Sequence, residues 1–250
     1  MTSNLFSDLH INDPPLEIPD RVLTIGAHPD DAEFGAGATL ARWADAGARI
    51  TILVLTDGSK GSWDPHQDQG DLAAQRIREQ RAAADVIGVH LCEHLGLVDG
   101  ELEYSMDLRL TIAAAIRTYR PDIVLSHDPW QRYQLHPDHR AAGMAAVDGV
   151  VSAREPLALM DSGLSAHRPA ALLLWSADEP DHAEPVTPVW FERKIEALFC
   201  HSSQGSTTMG DPDETKGRRA EFVAKIDAWH TRNGRNLGTG PAEVFKRLTP

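Results

Sequence analysis

Along the chain, short apolar runs alternate with longer amphipathic stretches. Residues 22–27 (VLTIGA), 49–55 (RITILVL), 122–127 (DIVLSH) and 170–176 (AALLLWS) have the length and mostly apolar character of buried strands, and 90–97 reads as a weaker one. Between them the apolar positions recur at helical spacing. Leu40, Trp43 and Ala44 mark a helix over residues 35–46, and a second runs from a cap at Asp71 through Arg76, Glu79 and Ala83 to a stop at Gly88. Ser105 caps a third over residues 106–119, and a fourth covers 138–154. Strict alternation of strands and helices implies right-handed crossovers. The pattern therefore predicts an α/β fold, Rossmann-like, with a mainly parallel sheet and helices on both faces.

After Ser176 the rhythm loosens. Residues 178–188 (DEPDHAEPVTP) read as an acidic, Pro-rich loop, 190–200 as a helix and 202–213 as a mobile Gly/Ser/Thr-rich segment. A final helix over 214–231 precedes a Gly-punctuated tail. Residues 1–20 are polar and Pro-bearing and read as an extended arm, which leaves 21–250 as a single domain with a mixed C-terminal part.

Charge narrows the class of ligand. A formal net charge of −13 repels phosphate backbones and anionic lipid surfaces, so neither nucleic acid nor membrane is the expected partner, and a small or neutral molecule is. No stretch approaches the roughly 20 apolar residues of a membrane helix, and no basic segment followed by an apolar run opens the chain; the expected address is the cytoplasm. The two cysteines, Cys92 and Cys200, lack CxxC spacing and read as buried free thiols rather than as a disulfide or a zinc site.

Ligands of open α/β sheets bind beyond the carboxyl ends of the strands. Two polar tetrads fall there: His28-Pro29-Asp30-Asp31 after the first strand and His136-Pro137-Asp138-His139 after the fourth. Imidazole and carboxylate together suit zinc, whose catalytic sites take three protein ligands and keep one position open. The proline in each tetrad confines the preceding histidine to extended backbone, which helps fix ligand direction. A carboxylate here could alternatively cap the following helix, but two such tetrads at one sheet edge favour a metal. Gly35 and Gly37 do not complete a dinucleotide fingerprint. His127 and Asp128 end a strand at the same edge and are candidates for hydrogen bonding to a ligand.

The run Ala27-His28-Pro29-Asp30-Asp31-Ala32-Glu33-Phe34-Gly35-Ala36-Gly37, with the later HPDH tetrad, resembles the paired signatures of the LmbE-like, or PIG-L, deacetylase family. The likeness extends to Thr56-Asp57-Gly58, the Arg76/Glu79 helix, residues 95–102 (LGLVDGEL) and the stretch ending His201-Ser202-Ser203-Gln204. It implies one Zn2+ per chain, with another divalent metal an alternative, held by His28, Asp31 and His139. By the same resemblance Asp30 is the general base toward a metal-activated water, His136 stabilises the oxyanion, and Asp138 orients and charges His136. Arg76 and Asp99 fall where relatives bind sugar hydroxyls, and His201 near the pocket. The implied reaction is removal of an N-acetyl group from an amino sugar or sugar conjugate, and homo-oligomers are common among relatives. Alternatives are an amidase of thiol-sugar conjugates, a metallophosphoesterase, or a protein in which zinc merely pins two loops. Residues 59–70 and 178–188 are expected to border the pocket and set specificity.

Overall fold

The computed structural model describes residues 14–205, 207 and 215–250. Strands β1 (Arg21–Gly26), β2 (Arg49–Thr56), β3 (Leu91–Leu97), β4 (Ile123–His127) and β5 (Ala171–Trp175) fall on the five apolar runs. Helices α1 (Asp31–Asp45), α2 (Gln69–Ile87), α3 (Met106–Tyr119) and α4 (Pro137–Arg154) occupy the stretches between them. The chain is completed by β6 (His182–Pro185), α5 (Pro188–Phe199), α6 (Thr215–Asn236) and β7 (Ala242–Leu248). All seven strands join one sheet in the order β3-β2-β1-β4-β5-β7-β6. The strands from β1 to β5 run parallel, and β7 runs antiparallel to both β5 and β6. This is a single α/β domain with a mostly parallel sheet.

Alternation along each strand divides the core into two layers. Val22, Ile50, Ile52 and Val54 pack with Leu40 and Trp43 of α1 and Ile87 of α2, whereas Leu23, Ile25, Leu53 and Leu55 pack with Ile112 and Ile116 of α3 and with Ala142 and Ala145 of α4. Each fully buried aliphatic side chain contributes about 1.5–3 kcal/mol, and these strands carry one on each face. Ser105 caps α3 as expected, its hydroxyl accepting from Leu108 N at 3.1 Å. The cap of α2 lies three residues earlier than Asp71: the Asp68 carboxylate accepts from Asp71 N at 2.9 Å. Gly88 closes α2 with φ 89°, a conformation glycine adopts at little steric cost.

The C-terminal third corrects three readings. The acidic stretch at 178–188 contains a strand, β6, and the tail contains another, β7. Both carry inward carboxylates where an apolar residue would announce a strand: Glu184 and Glu243 are buried, the first against Arg42 and the second against Lys194. Cys92 and Cys200 are half-buried rather than buried. The final helix continues past Thr231 to Asn236. Residues 1–13 of the expected arm, and residues 206 and 208–214 of the segment expected to be mobile, lie outside the described residues. Among the described residues no helix is long and apolar enough to cross a membrane.

The β7 carboxylate has a particular task. Helix α1 is broken at Ala36 (φ −148°, ψ 15°), which frees backbone donors in mid-helix. Glu243 accepts from Ala38 N at 3.1 Å and from Thr39 N at 2.7 Å, so a strand about 200 residues away caps the second half of the helix. Just before the break, Gly35 lies against the Trp175 indole, where any Cβ would collide with the ring.

Candidate active site

The sheet winds outward from β1 to β3 on one side and from β4 to β5 on the other, so the crevice opens between the carboxyl ends of β1 and β4. The two tetrads follow those two strands and meet there. His28 Nδ1 stands 3.2 Å from His139 Nε2, His139 Nε2 stands 3.4 Å from Asp31 Oδ1, and His28 Nδ1 is 3.7 Å from Asp31 Oδ2. Tetrahedral zinc, with bonds of about 2.0–2.2 Å, separates neighbouring ligand atoms by about 3.2–3.6 Å; the two separations to His139 Nε2 fall in that range and the donor types suit the ion.

Neighbouring groups select which atom each ligand presents. His28 Nε2 lies 3.1 Å from Asp138 Oδ2 and 3.2 Å from Asp99 Oδ1; two carboxylates there favour a proton on Nε2, so Nδ1, which faces His139, is the nitrogen that would give up its proton to a metal. On Asp31, Oδ2 accepts from His28 N at 2.7 Å and pairs with His127 Nε2 at 2.9 Å, so Oδ1 is the oxygen left facing His139. The tautomer of His127 is fixed in turn, because Trp175 Nε1 donates to its Nδ1 at 3.1 Å. The expected hydrogen bond from His127 to a ligand carboxylate is therefore present.

The electrostatics of the centre favour positive charge. Burial alone would lower the pKa of His28, yet hydrogen bonds to Asp138 and Asp99 and the nearby Asp31 push it up to about 10. Burial would raise the pKa of Asp31, yet His127, His139 and His28 hold it well below the usual carboxylate range. Burial pushes His139 down to about 4, leaving a neutral imidazole suited to ligation. Other groups that could hold an ion are His28 with His136 and His139, Asp31 with His127 and His139, and His28 with Asp99 and Asp138. His127, Asp99 and Asp138 are engaged by the hydrogen bonds above, whereas His136 Nε2 remains beside His28 and His139, and Asp31 Oδ1 faces His139.

Asp30 points elsewhere than Asp31 because its backbone is left-handed, with φ 97°. For a non-glycine residue this costs about 1–3 kcal/mol, and it persists where surroundings impose it. Asp30 N donates to Gln80 Oε1 at 2.9 Å, Gln80 Nε2 donates to Glu33 Oε1 at 2.7 Å, and Arg76 Nη2 donates to Pro29 O at 2.6 Å. Arg76 also lies 3.4 Å from Asp30 Oδ2. Burial pushes the Asp30 carboxyl up to about 7, against the lowering effect of Arg76.

A cavity of about 630 Å³ opens over the centre, and His28, Asp30, Asp31, His139, His136, Arg76 and Asp99 all line it. Asp138 does not. Its side chain is wholly buried, pairing with His28 and accepting from Gly100 N at 2.7 Å and Leu102 N at 3.3 Å. It therefore orients His28 rather than His136, a correction to the sequence expectation. His136 instead accepts from Asp138 N through Nδ1 at 3.3 Å, which assigns its proton to Nε2, and burial lowers its pKa, which favours the neutral ring.

Of the loops expected to border the cavity, 59–70 does so through residues 60–63, whereas 178–188 contributes no lining residue and its strand lies at the far edge of the sheet. His201 is buried and does not line the cavity; its Nε2 faces Glu33 at 3.8 Å. Sequence reasoning missed Gln80, Glu33, Gln131, Gln134 and Gln204. Glu33 and Gln204 had a signal, their places inside the quoted HPDDAEFGAG and HSSQ runs, though neither was given a role.

Comparison with known proteins follows this geometry. A family described as PIG-L, GlcNAc-PI de-N-acetylase, matches residues 23–150. The diacetylchitobiose deacetylase of Thermococcus kodakarensis is 36% identical over 200 residues, covering 79% of this chain and 74% of that one. A probable N-acetyl-alpha-D-glucosaminyl L-malate deacetylase 2 of Bacillus anthracis is 26% identical, covering 85% and 92%. The solved N,N'-diacetylchitobiose deacetylase of Pyrococcus horikoshii, complexed with an inhibitor, superposes with a TM-score of 0.82 at 29% identity, covering 92% of this chain and 84% of that one. With its matched region spanning both tetrads, the chain belongs to the PIG-L family.

Proposed function

We propose that the protein is a zinc-dependent deacetylase that hydrolyses the acetamide of an N-acetylglucosamine-containing sugar or sugar conjugate. One observation carries the reading: His28 Nδ1 and Asp31 Oδ1 stand 3.2 and 3.4 Å from His139 Nε2 on the wall of the cavity, and the adjacent Asp30 lines the same cavity with its carboxylate turned to Arg76. A closed structural site would use four protein ligands, and a loop-pinning role gives Asp30 nothing to do. The deacetylase names of the relatives support the same chemistry.

A divalent ion held by these three residues supplies Lewis acidity for the amide carbonyl and acidifies water. Asp30 removes the proton of the attacking water and delivers it to the departing nitrogen, which leaves only as an amine. A pKa near 7 suits a group that must both accept and return a proton. His136 donates its Nε2 proton to the oxyanion that develops on the carbonyl, needing no charge of its own. Arg76 and Asp99, both on the cavity wall, take hydroxyls of the acetamido sugar.

The test is acetate release from N,N'-diacetylchitobiose and from N-acetylglucosaminyl malate by zinc-loaded protein, with a chelator control. Chelation is expected to abolish turnover and zinc to restore it. Hydrolysis of an aryl phosphate with no acetate from any acetamido sugar overturns the reading.

A further inference from the structure

Among the described residues, thirteen large apolar side chains are exposed, and Trp63 is the one of them that lines the active-site cavity. Its side chain is 80% exposed, although it follows directly on a well-anchored loop. Gly58 O accepts from Arg76 Nη1 at 3.1 Å, Lys60 N donates to Asp99 Oδ2 at 3.0 Å, and Gly61 O accepts from Gln204 Nε2 at 3.0 Å. Asp64 N is tied back to Ser62 Oγ at 3.1 Å. The backbone on both sides of Trp63 is therefore held while the indole is left uncovered at the cavity wall. An exposed rigid aromatic beside a polar pocket is the ordinary means of holding a flat apolar face whose edges carry hydroxyls, and a pyranose ring presents such a face of C–H groups.

The remaining walls restrict what such a ring can carry. Gln131 and Gln134, from the β4–α4 loop, also line the cavity and offer neutral amide donors and acceptors. The two non-histidine cations there are already engaged: Lys60 Nζ donates to Glu101 at 2.8 Å, and Arg76 donates to two backbone carbonyls beside Asp30. Asp30, Asp31 and Asp99 add negative charge. An anionic group attached to the acetamido sugar meets cations already paired and three nearby carboxylates, whereas a neutral sugar ring finds an indole and amides. The cavity, at about 630 Å³, lies well inside the range of about 300–1,000 Å³ that accepts ligands larger than one ring.

We infer that Trp63 forms a second sugar subsite, which stacks the neutral ring linked to the reacting N-acetylglucosamine and makes an uncharged disaccharide or longer glycoside the preferred substrate class. This rests on the deacetylase reading for its catalytic arm, but the subsite itself is a matter of binding. Stacking on Trp63 contributes to every state in which the second ring is bound, so it lowers KM for disaccharides and leaves the monosaccharide unaffected.

The experiment compares wild type, Trp63→Ala and Trp63→Phe on N-acetylglucosamine, N,N'-diacetylchitobiose and N-acetylglucosaminyl malate, with calorimetric titration of the deacetylated disaccharide as a second readout. Trp63→Ala is expected to lose about tenfold in kcat/KM on the disaccharide and in affinity for its product, with less than about twofold on the monosaccharide, and Trp63→Phe to retain most of both. Equal losses on mono- and disaccharide, or a wild-type preference for the malate conjugate, overturn the subsite. Absence of acetate release by wild type on all three substrates overturns the proposed function instead; the titration then still decides the subsite, an unchanged disaccharide affinity in Trp63→Ala ending it.

Discussion

Two clusters of buried charge flank helix α1, and they are built on opposite plans. At its first turn, Asp31 and His28 both approach His139 beside an open cavity. Beyond its break, Glu243 meets Lys194 at 2.7 Å and the Ala38 and Thr39 amides in a closed interior, with Lys194 also donating to Phe34 O at 2.8 Å. In the second cluster the carboxylate and the ammonium group answer each other directly; in the first, ring nitrogens and a carboxylate gather at an opening that a cation could enter. Burial of charge by itself thus says little about function, and what distinguishes a site from a buttress is whether the set closes. The two are mechanically joined, since the same helix carries Asp31 at one end and is held by the buttress about two turns later.

If that contrast is right, substitutions in the two clusters must fail differently. The largest expected effect is Asp30→Asn, which removes the base without touching a ligand: activity falls about 10²–10⁴-fold. Bound zinc, measured by atomic absorption, and melting temperature stay at wild-type values; undiminished turnover would show that Asp30 is not the base. Next comes Glu243→Ala, which strands Lys194 in an apolar interior and leaves two helix amides unpaired. The expected loss is about 3–5 kcal/mol of stability, read by urea denaturation, with residual activity surviving in whatever fraction remains folded. A variant as stable as wild type, with its zinc affinity lost, would place Glu243 with the site instead.

The same contrast explains which parts of the molecule are legible in sequence. The four strands nearest the tetrads are buried on both faces or nearly so, and each announces itself as an apolar run. Strands β6 and β7 turn Glu184 and Glu243 inward, and their partners Arg42 and Lys194 lie in distant elements, so nothing local reveals that these acids are core residues. The tetrads were readable because each packs its imidazole and carboxylate residues contiguously at the turn from a strand into a helix. Gln80 was not, because its two bonds reach residues about 50 positions away, and an amide in the middle of an amphipathic helix has no distinguishing neighbour. The role of Asp138 was misread for a related reason: proximity in sequence to His136 suggested a partnership that the fold gives to His28, about 110 residues earlier.

Gln80 sharpens the comparison at a smaller scale, as a group that is closed on itself yet serves the open site. Its amide is held by Glu33 and accepts from the N–H of the strained Asp30 backbone. Gln80→Leu is expected to lower kcat about 10–100-fold with zinc content unchanged and KM little altered, the pattern of a displaced base rather than a lost binding contact. Gln80→Glu keeps an acceptor for Asp30 N and should recover part of the loss. Equal damage from both variants, or a fall confined to KM, would speak against positioning.

The gentlest perturbation is pH, and it acts on the buttress through His230. This imidazole from α6 faces Lys194 of α5 at 3.2 Å and Glu243 of β7 at 4.0 Å, with the Phe191 ring edge-on and Trp229 stacked beside it. Burial first, and then the Lys194 charge, push its pKa down to about 3, against the opposing pull of Glu243. An unfolded chain holds the ring near its ordinary value of about 6.5, so between the two values the unfolded state binds a proton that the native state refuses. The stabilisation from His230 is therefore complete above about pH 6.5 and is lost progressively as pH falls toward 3, at no more than about 1.4 kcal/mol per pH unit for one proton. His230→Gln cannot take up that proton. Melting temperatures recorded from pH 7 down to pH 4.5 are expected to fall less steeply for His230→Gln than for wild type, and parallel slopes would mean that the acid sensitivity of the fold arises elsewhere than in the buttress.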